Sequence, residues 1–227
     1  MNFITFTKSG RTLLLLTAVA AVLGLTGCGD DNGANSGGAN ETVKIGGVKW
    51  TKKNLSVKTE YGSYCYGDSR DVSTTNTEEC DKYGRLYNWA AAVSACQSIG
   101  MRLPSTDDWV HLVESVGGVG STWSSAGTRL QTWSGAGKKL KSKSGWNGKG
   151  NGTDDFGFSA LPGGSCGYTG GCDEAGEGGY WWTSAAEEKD NNGYRFHRGW
   201  GMHYDDDDAH EGGTGGSNFR SVRCIKD

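Results

Sequence analysis

Six cysteines in the folded part of the chain restrict its architecture more than any other feature. The 227-residue sequence has seven. Cys28 closes an apolar leader, and Cys65, Cys80, Cys96, Cys166, Cys172 and Cys224 are spread over the rest. An even set in an oxidising compartment reads as three disulfides. Spacing narrows the pairing. Cys166 and Cys172 enclose the short glycine-rich loop CGYTGGC, and Cys65 and Cys80 bracket a polar, hairpin-like segment. Cys96 is then left for Cys224, a long closure that contributes about 4–5 kcal/mol in the chain-entropy model. A zinc site is a poor reading, because no C-x2-C occurs and no histidine stands at a zinc-finger spacing.

The leader has the three parts of an export signal: Lys8 and Arg11, an apolar run from Leu13 to Leu25, then small residues. The run is too short to cross ~30 Å of hydrocarbon comfortably. Leu25-Thr26-Gly27-Cys28 resembles a bacterial lipobox. That resemblance implies cleavage before Cys28 and acylation of its thiol, which anchors the chain stably when two or more acyl chains are present. Residues 1–27 are thus expected to be a signal peptide. Residues 28–42, containing GDDNGANSGGAN, are expected to be a flexible tether, since they lack the apolar surface to offset ordering. The folded domain is assigned to residues 43–227. Asp30 and Asp31 behind the cysteine resemble the acidic stretch of some Gram-negative lipoproteins sent to the outer surface. The expected location is the outer membrane, with the domain facing the exterior.

Removing Lys8 and Arg11 with the leader leaves 21 of 23 basic residues against 26 acidic ones, a net charge of about −5. No basic face for nucleic acid is implied. The run KKLKSK (Lys138 to Lys143) reads as a solvated loop or strand edge. With 39 glycines, two prolines and nine tryptophans, the composition fits a loop-rich fold whose core is built from a few large aromatics.

VKIGGVKW alternates apolar and polar residues around Gly46-Gly47, as a strand or hairpin does. In DKYGRLYNWAAAVSACQSIG, Leu86, Trp89, Ala90, Val93 and Cys96 fall at helical spacing, with Gly100 as the stop. In LPSTDDWVHLVESVGG, Ser105 is placed to cap a second helix and Asp108 to complete a capping box. Trp109, Leu112, Val113 and Val116 form its apolar face, and His111 faces solvent. Beyond residue 118 no helical period survives. Short strands are expected within Phe156 to Gly164, Gly179 to Ala185, Gly193 to Tyr204 and the closing FRSVRCIKD. Helices followed by antiparallel strands make an α+β pattern.

Several blocks carry a family resemblance: VKIGGVKWTKKNL, YGRLYNWAAA, GMRLPSTDDWVHLV, GTDDFGFSALPGG, GYWWTS and SVRCIKD, in that order. They resemble the Fibrobacter succinogenes major paralogous domain over Val43 to Asp227. That family looks related to the C-type lectin-like fold and to the formylglycine-generating enzymes. The resemblance implies two helices packed on a twisted antiparallel sheet, a long loop-rich region before the last strands, and three disulfides. It agrees with a Cys96–Cys224 bond, since lectin-like domains join their first helix to their last strand.

The functional expectation is a surface-displayed, noncatalytic binding or adhesion module, whose partner is a polysaccharide or, alternatively, another envelope protein. Trp181, Trp182, Trp200 and Tyr204 are the candidate ligand-binding residues, with Trp123 and Trp133 as further ones, although packing in the core is the expected default for Trp200, Trp123 and Trp133. Because Trp181 and Trp182 are adjacent, a strand turns them to opposite sides, so at most one is expected on a surface. The Glu-Pro-Asn or Gln-Pro-Asp loop and Trp-Asn-Asp strand of calcium-dependent lectins do not occur. A formylglycine-generating activity needs reactive thiols, whereas all six cysteines have structural assignments. No cofactor is expected, with one candidate exception. Asp205, Asp206, Asp207 and Asp208, near His203, His210 and Glu211, offer hard oxygen ligands for calcium. Their adjacency points them in different directions, which favours a solvated acidic loop.

Overall fold

The computed structural model describes residues 41–68, 77–125 and 128–227. The assigned signal peptide, most of the tether and Cys28 lie outside them. Gly46 and Gly47, both at positive φ, make the two-residue turn that joins β1 (Thr42–Ile45) to β2 (Val48–Thr51). Ile45 pairs with Val48 beside the turn, and β2 also pairs with the C-terminal strand β13 (Ile225–Lys226). The expected hairpin is present, closed into a three-stranded sheet by the end of the chain.

Four helices occur among the described residues: α1 (Thr77–Tyr83), α2 (Trp89–Ser98), α3 (Thr106–Ser115) and the single-turn α4 (Ala136–Leu140). The two long ones are those expected, and α1 and α4 are additions. Helix α3 follows its sequence signals closely. The Ser105 hydroxyl accepts from the Asp108 N–H at 3.1 Å, and the Asp108 carboxylate accepts from the Ser105 N–H at 2.7 Å. Trp109, Leu112, Val113 and Val116 are buried, while His111 is exposed with Nε2 2.6 Å from the Gly46 carbonyl. Helix α2 departs from its predicted stripe. Asn88 caps it through the Ala91 N–H, so Leu86 falls outside the helix, in β4 (Leu86–Tyr87). The buried face is Ala91, Ala92, Ala95 and Cys96, whereas Ala90 is exposed. Small side chains belong on that face because it packs against the bulky Tyr87 and Trp182. Gly100 follows as the expected stop, at φ +69°.

Arg102 adds a fork of two bonds, 2.6 and 3.1 Å, to the Asp108 carboxylate. Burial pushes the Asp108 pKa up, but Arg102 and Ser105 outweigh it and hold the carboxyl below its ordinary value. A depressed acid stabilises the fold above its unfolded pKa and loses that contribution as pH falls through the folded one. Asp108→Ala is therefore expected to cost about 1–2 kcal/mol at neutral pH. In urea melts repeated at successive pH values, the gap from the parent protein should shrink only in the acid range below pH ~4.

The main sheet has the order β5-β6-β12-β11-β9-β7-β8. Its strands are β5 (Val119–Ser125), β6 (Thr128–Ser134), β7 (Gly163–Cys166), β8 (Cys172–Ala175), β9 (Gly178–Trp182), β11 (Arg195–His203) and β12 (Ala209–Thr214). A short β10 (Glu188–Lys189) also pairs with β11, and β3 (Ser63–Tyr64) pairs with β4. All pairs are antiparallel except β7 with β9. The chain is thus mixed helix and sheet, mostly sheet. The region after residue 118 is less loop-like than its serine and glycine content suggests, because β5 and β6 form a hairpin ribbon there. In contrast, Phe156 to Pro162 forms no named strand, and regular pairing begins at Gly163.

Two cores lie on opposite sides of β9. The first joins Trp50, the apolar face of α3, Trp133, Trp181, Trp200 and Ile225. The second joins Tyr87, the small-residue face of α2, Trp182, Val222 and Cys224. All three expected disulfides are formed: Cys65–Cys80, Cys96–Cys224 and Cys166–Cys172. Cys96–Cys224 ties α2 to the residue preceding β13, and Cys166–Cys172 spans the β7–β8 hairpin.

Candidate functional site

The tryptophans proposed as a binding face are core residues. Trp181, Trp182 and Trp200 are fully or almost fully buried, and Trp133 is buried beside Trp200 with ring centroids 4.9 Å apart. Trp181 and Trp182 do point to opposite sides of β9, but both sides are covered, one by the α3 core and the other by the α2 core. Both indoles are also satisfied internally. Trp181 Nε1 donates to Asn54 Oδ1 at 2.9 Å, and Trp182 Nε1 donates to the Tyr87 carbonyl at 2.6 Å. Among the named tryptophans only Trp123 is exposed, at 46%. Tyr204 is half-buried, and it borders a cleft of about 410 Å³ with Lys138, Lys149 and Asp205 to Asp207.

The acidic run is a latch rather than a converging ligand set. Asp208 accepts from the Gly135 N–H at 3.1 Å and the Ser134 hydroxyl at 3.2 Å. Asp206 takes the Asp208 N–H and meets His210 Nε2, each at 2.9 Å, while Asp207 faces Lys138. Among the described residues no three His, Cys, Asp or Glu side chains gather as a metal site. The latch explains Lys141, which was expected in a solvated segment and is instead completely buried. Its ammonium donates to the carbonyls of His203 and Asp206 at 2.8 and 2.6 Å. Burial lowers its pKa, against the opposing pull of the nearby aspartates. The aliphatic stem of a lysine can enter a core when its head finds acceptors.

A second polar cleft, larger than the one beside Tyr204, lies where the start of α3 faces β6, β10, β11 and β12. It has a volume of about 510 Å³ and is lined by Thr106, Asp107, Val110, Gln131, Ala185, Glu188, Arg198 and Glu211. Arg198 organises it. Its guanidinium donates from Nη2 to Glu188 at 2.9 Å and from Nη1 to Glu211 at 2.8 Å. Glu211 is only 4% exposed, so this pair is held away from water. The Glu188 bonds, helped by Glu211 and opposed by burial, raise the Arg198 pKa and keep it charged. The Thr106 hydroxyl is buried and has no hydrogen-bond partner among the described residues. The cleft thus presents acceptors on Asp107 and Glu188 and the two-way amide of Gln131, over an Arg198 guanidinium whose donors are taken up by the two glutamates.

Sequence reasoning missed this group because its members are far apart along the chain. Glu211 stands two residues after the buried Ala209 on β12, and Arg198 two before Trp200 on β11, so these charged residues share a face with the core. A charged pair at inward-facing strand positions was the available signal.

No helix among the described residues is long and apolar enough to cross a membrane. A family model described as the Fibrobacter succinogenes major domain matches residues 43–226. Nothing matches among curated proteins or among solved structures.

Proposed function

Since the chain belongs to the Fibrobacter succinogenes major domain family, we propose that it is a noncatalytic binding module, held at the cell envelope by acylated Cys28, whose cleft beside α3 takes a hydroxyl-rich polysaccharide. The observation that carries this reading is the Arg198 fork between Glu188 and Glu211 at the floor of an open cleft. Sugar hydroxyls both donate and accept, and the Glu188 carboxylate held rigid by Arg198, with Asp107 and the Gln131 amide beside it, offers fixed partners for both without reordering on binding.

The noncatalytic part rests on the cysteines. All six in the domain are consumed in disulfides, which leaves no described thiol for chemistry of the formylglycine-generating kind. A lectin-like arrangement of the fold is part of the same proposal. It is supported by two principal helices and by the disulfide from α2 to the residue preceding the last strand.

The test is retention of the soluble chain from residue 29 on insoluble cellulose, xylan and peptidoglycan, with calcium and with EDTA. Asp107→Ala combined with Gln131→Ala removes two lining groups without touching the buried pair. This variant is expected to keep its melting temperature within a degree or two and to lose retention about tenfold or more. EDTA should change neither retention nor melting. Equal retention of the parent and the variant would remove the cleft from the proposal. Binding to none of the three polymers would favour the alternative, an envelope protein as partner.

A further inference from the structure

A second charged group lies on the opposite face of β11, where Gly199 and Gly201 alternate with Arg198, Trp200 and Met202. Arg220, just before the last strand, lays its guanidinium between two rings, 5.4 Å from the Tyr180 centroid and 5.2 Å from that of Trp182. It differs from the other enclosed arginines. Arg223 donates to four acceptors, and Arg198 is held by two glutamates. No described residue accepts a hydrogen bond from the Arg220 guanidinium, and its Nε is buried without a partner. The buried Nε–H is thus left unmade among the described residues, a cost that folds seldom carry without return, while the two Nη groups stay unclaimed by any described side chain. Burial lowers the pKa to about 10, against weaker opposition from Tyr180, Tyr194 and Glu174.

The backbone around it is cleared. A Cβ on Gly199 would sit 2.5 Å from Arg220 Nη1, so the guanidinium rests on bare strand. Gly199 pairs with Gly212 of β12, and a Cβ on Gly212 would meet nothing within 4 Å. Directly paired positions hold their Cβ atoms about 5 Å apart on the same face. The open space over Gly212 therefore adjoins the guanidinium.

We propose that Arg220 anchors the carboxylate of a ligand lying over Gly212, at a site separate from the cleft beside α3. A guanidinium and a carboxylate are both planar forks that match in two parallel bonds. A singly charged group suits the place better than phosphate, because the Glu174 carboxylate lies nearby, hydrogen-bonded to the Tyr180 hydroxyl. The aromatic rings on either side desolvate the pair and strengthen it.

The test follows the Arg220 Nε–H resonance by NMR while sodium acetate, sodium glucuronate or glucose is added at constant ionic strength. Both carboxylates are expected to shift it and glucose to leave it in place. A stronger response to glucuronate than to acetate assigns an acidic sugar, and equal responses assign the carboxylate alone. Gly212→Leu fills the open space without a backbone penalty and keeps Arg220. It should weaken the carboxylate response by about tenfold or more while leaving the melting temperature unchanged. Arg220→Met keeps the contact with the rings and removes the unpaired charge, so it should melt at or above the parent temperature. The proposal is overturned if neither carboxylate moves the resonance, if Gly212→Leu responds as the parent does, or if Arg220→Met melts well below it.

Discussion

Replacing Cys96 and Cys224 together by alanine is expected to lower the unfolding free energy by about 5 kcal/mol. The bond closes 128 residues of sequence, against 15 for Cys65–Cys80 and six for Cys166–Cys172. Chain entropy grows with the logarithm of the loop, so the smallest closure should contribute only about 2 kcal/mol. Position adds to the difference. Cys96 and Cys224 are fully buried in the α2 core, whereas Cys172 is only partly buried at a hairpin. Since whole domains are stable by only about 5–15 kcal/mol, the double variant should be largely unfolded at 37 °C. Urea denaturation of this variant beside the Cys166/Cys172 one tests the ranking. Equal losses would show that native-state packing, not loop closure, sets the contribution.

The second large effect concerns Arg223, which is fully buried and makes no ion pair among the described residues. Its guanidinium donates to Asn54 Oδ1, the Thr51 carbonyl, the Phe158 carbonyl and the Ser159 carbonyl, all at 2.7–2.8 Å. It also stacks over the Phe158 ring at 4.5 Å. These bonds join the β1–β2 hairpin, the 158–159 turn and the C-terminal segment in one knot. Ser159 needs that support, because it stands at φ +51°, a strained value for a residue with a side chain. Burial lowers the Arg223 pKa, and only Asp154 offsets this from a distance. Arg223→Met would leave several acceptors unmatched, at about 1–3 kcal/mol each, for a total on the order of 4 kcal/mol or more. Arg223→Lys keeps the charge but not the fork, and should recover less than half. Thermal melts of the two variants check both numbers. The same change at Arg220 is expected to be neutral or stabilising, so the pair separates an arginine that builds the fold from one left available to a ligand.

Local signals in the sequence located local structure well. Ser105 and Asp108 define the start of α3, and Gly46-Gly47 defines the first hairpin, because each depends on neighbours a few residues away. The disulfides were legible for a related reason: two of them close short loops, and the third follows from what remains. Residues 119–134 were not legible as strands. Their serines, threonines and glycines show no apolar alternation, and among the described side chains there the buried Leu130 and Trp133 stand three residues apart. The burial of Trp182 was missed for a different reason. Alternation along a strand tells which residues share a face, but not whether a second layer covers the other face, and here α2 does. Lys141 was misread because charge within a run of lysines predicts solvent, whereas the carbonyls of His203 and Asp206 arrive from 62 and 65 residues away. The Arg198, Glu188 and Glu211 constellation fails on the same ground. It exists only once β10, β11 and β12 are side by side.

The cleft beside α3 is tested most directly by mapping amide and side-chain chemical shifts of the soluble domain as a short oligosaccharide of the retained polymer is added. Shifts concentrated at Thr106, Gln131, Ala185, Glu188 and Arg198 are the result expected for a binding module that works through its charged cleft. Shifts gathered instead around the exposed rings of Tyr61, Trp123 or Tyr168, with the cleft residues unmoved, would contradict it.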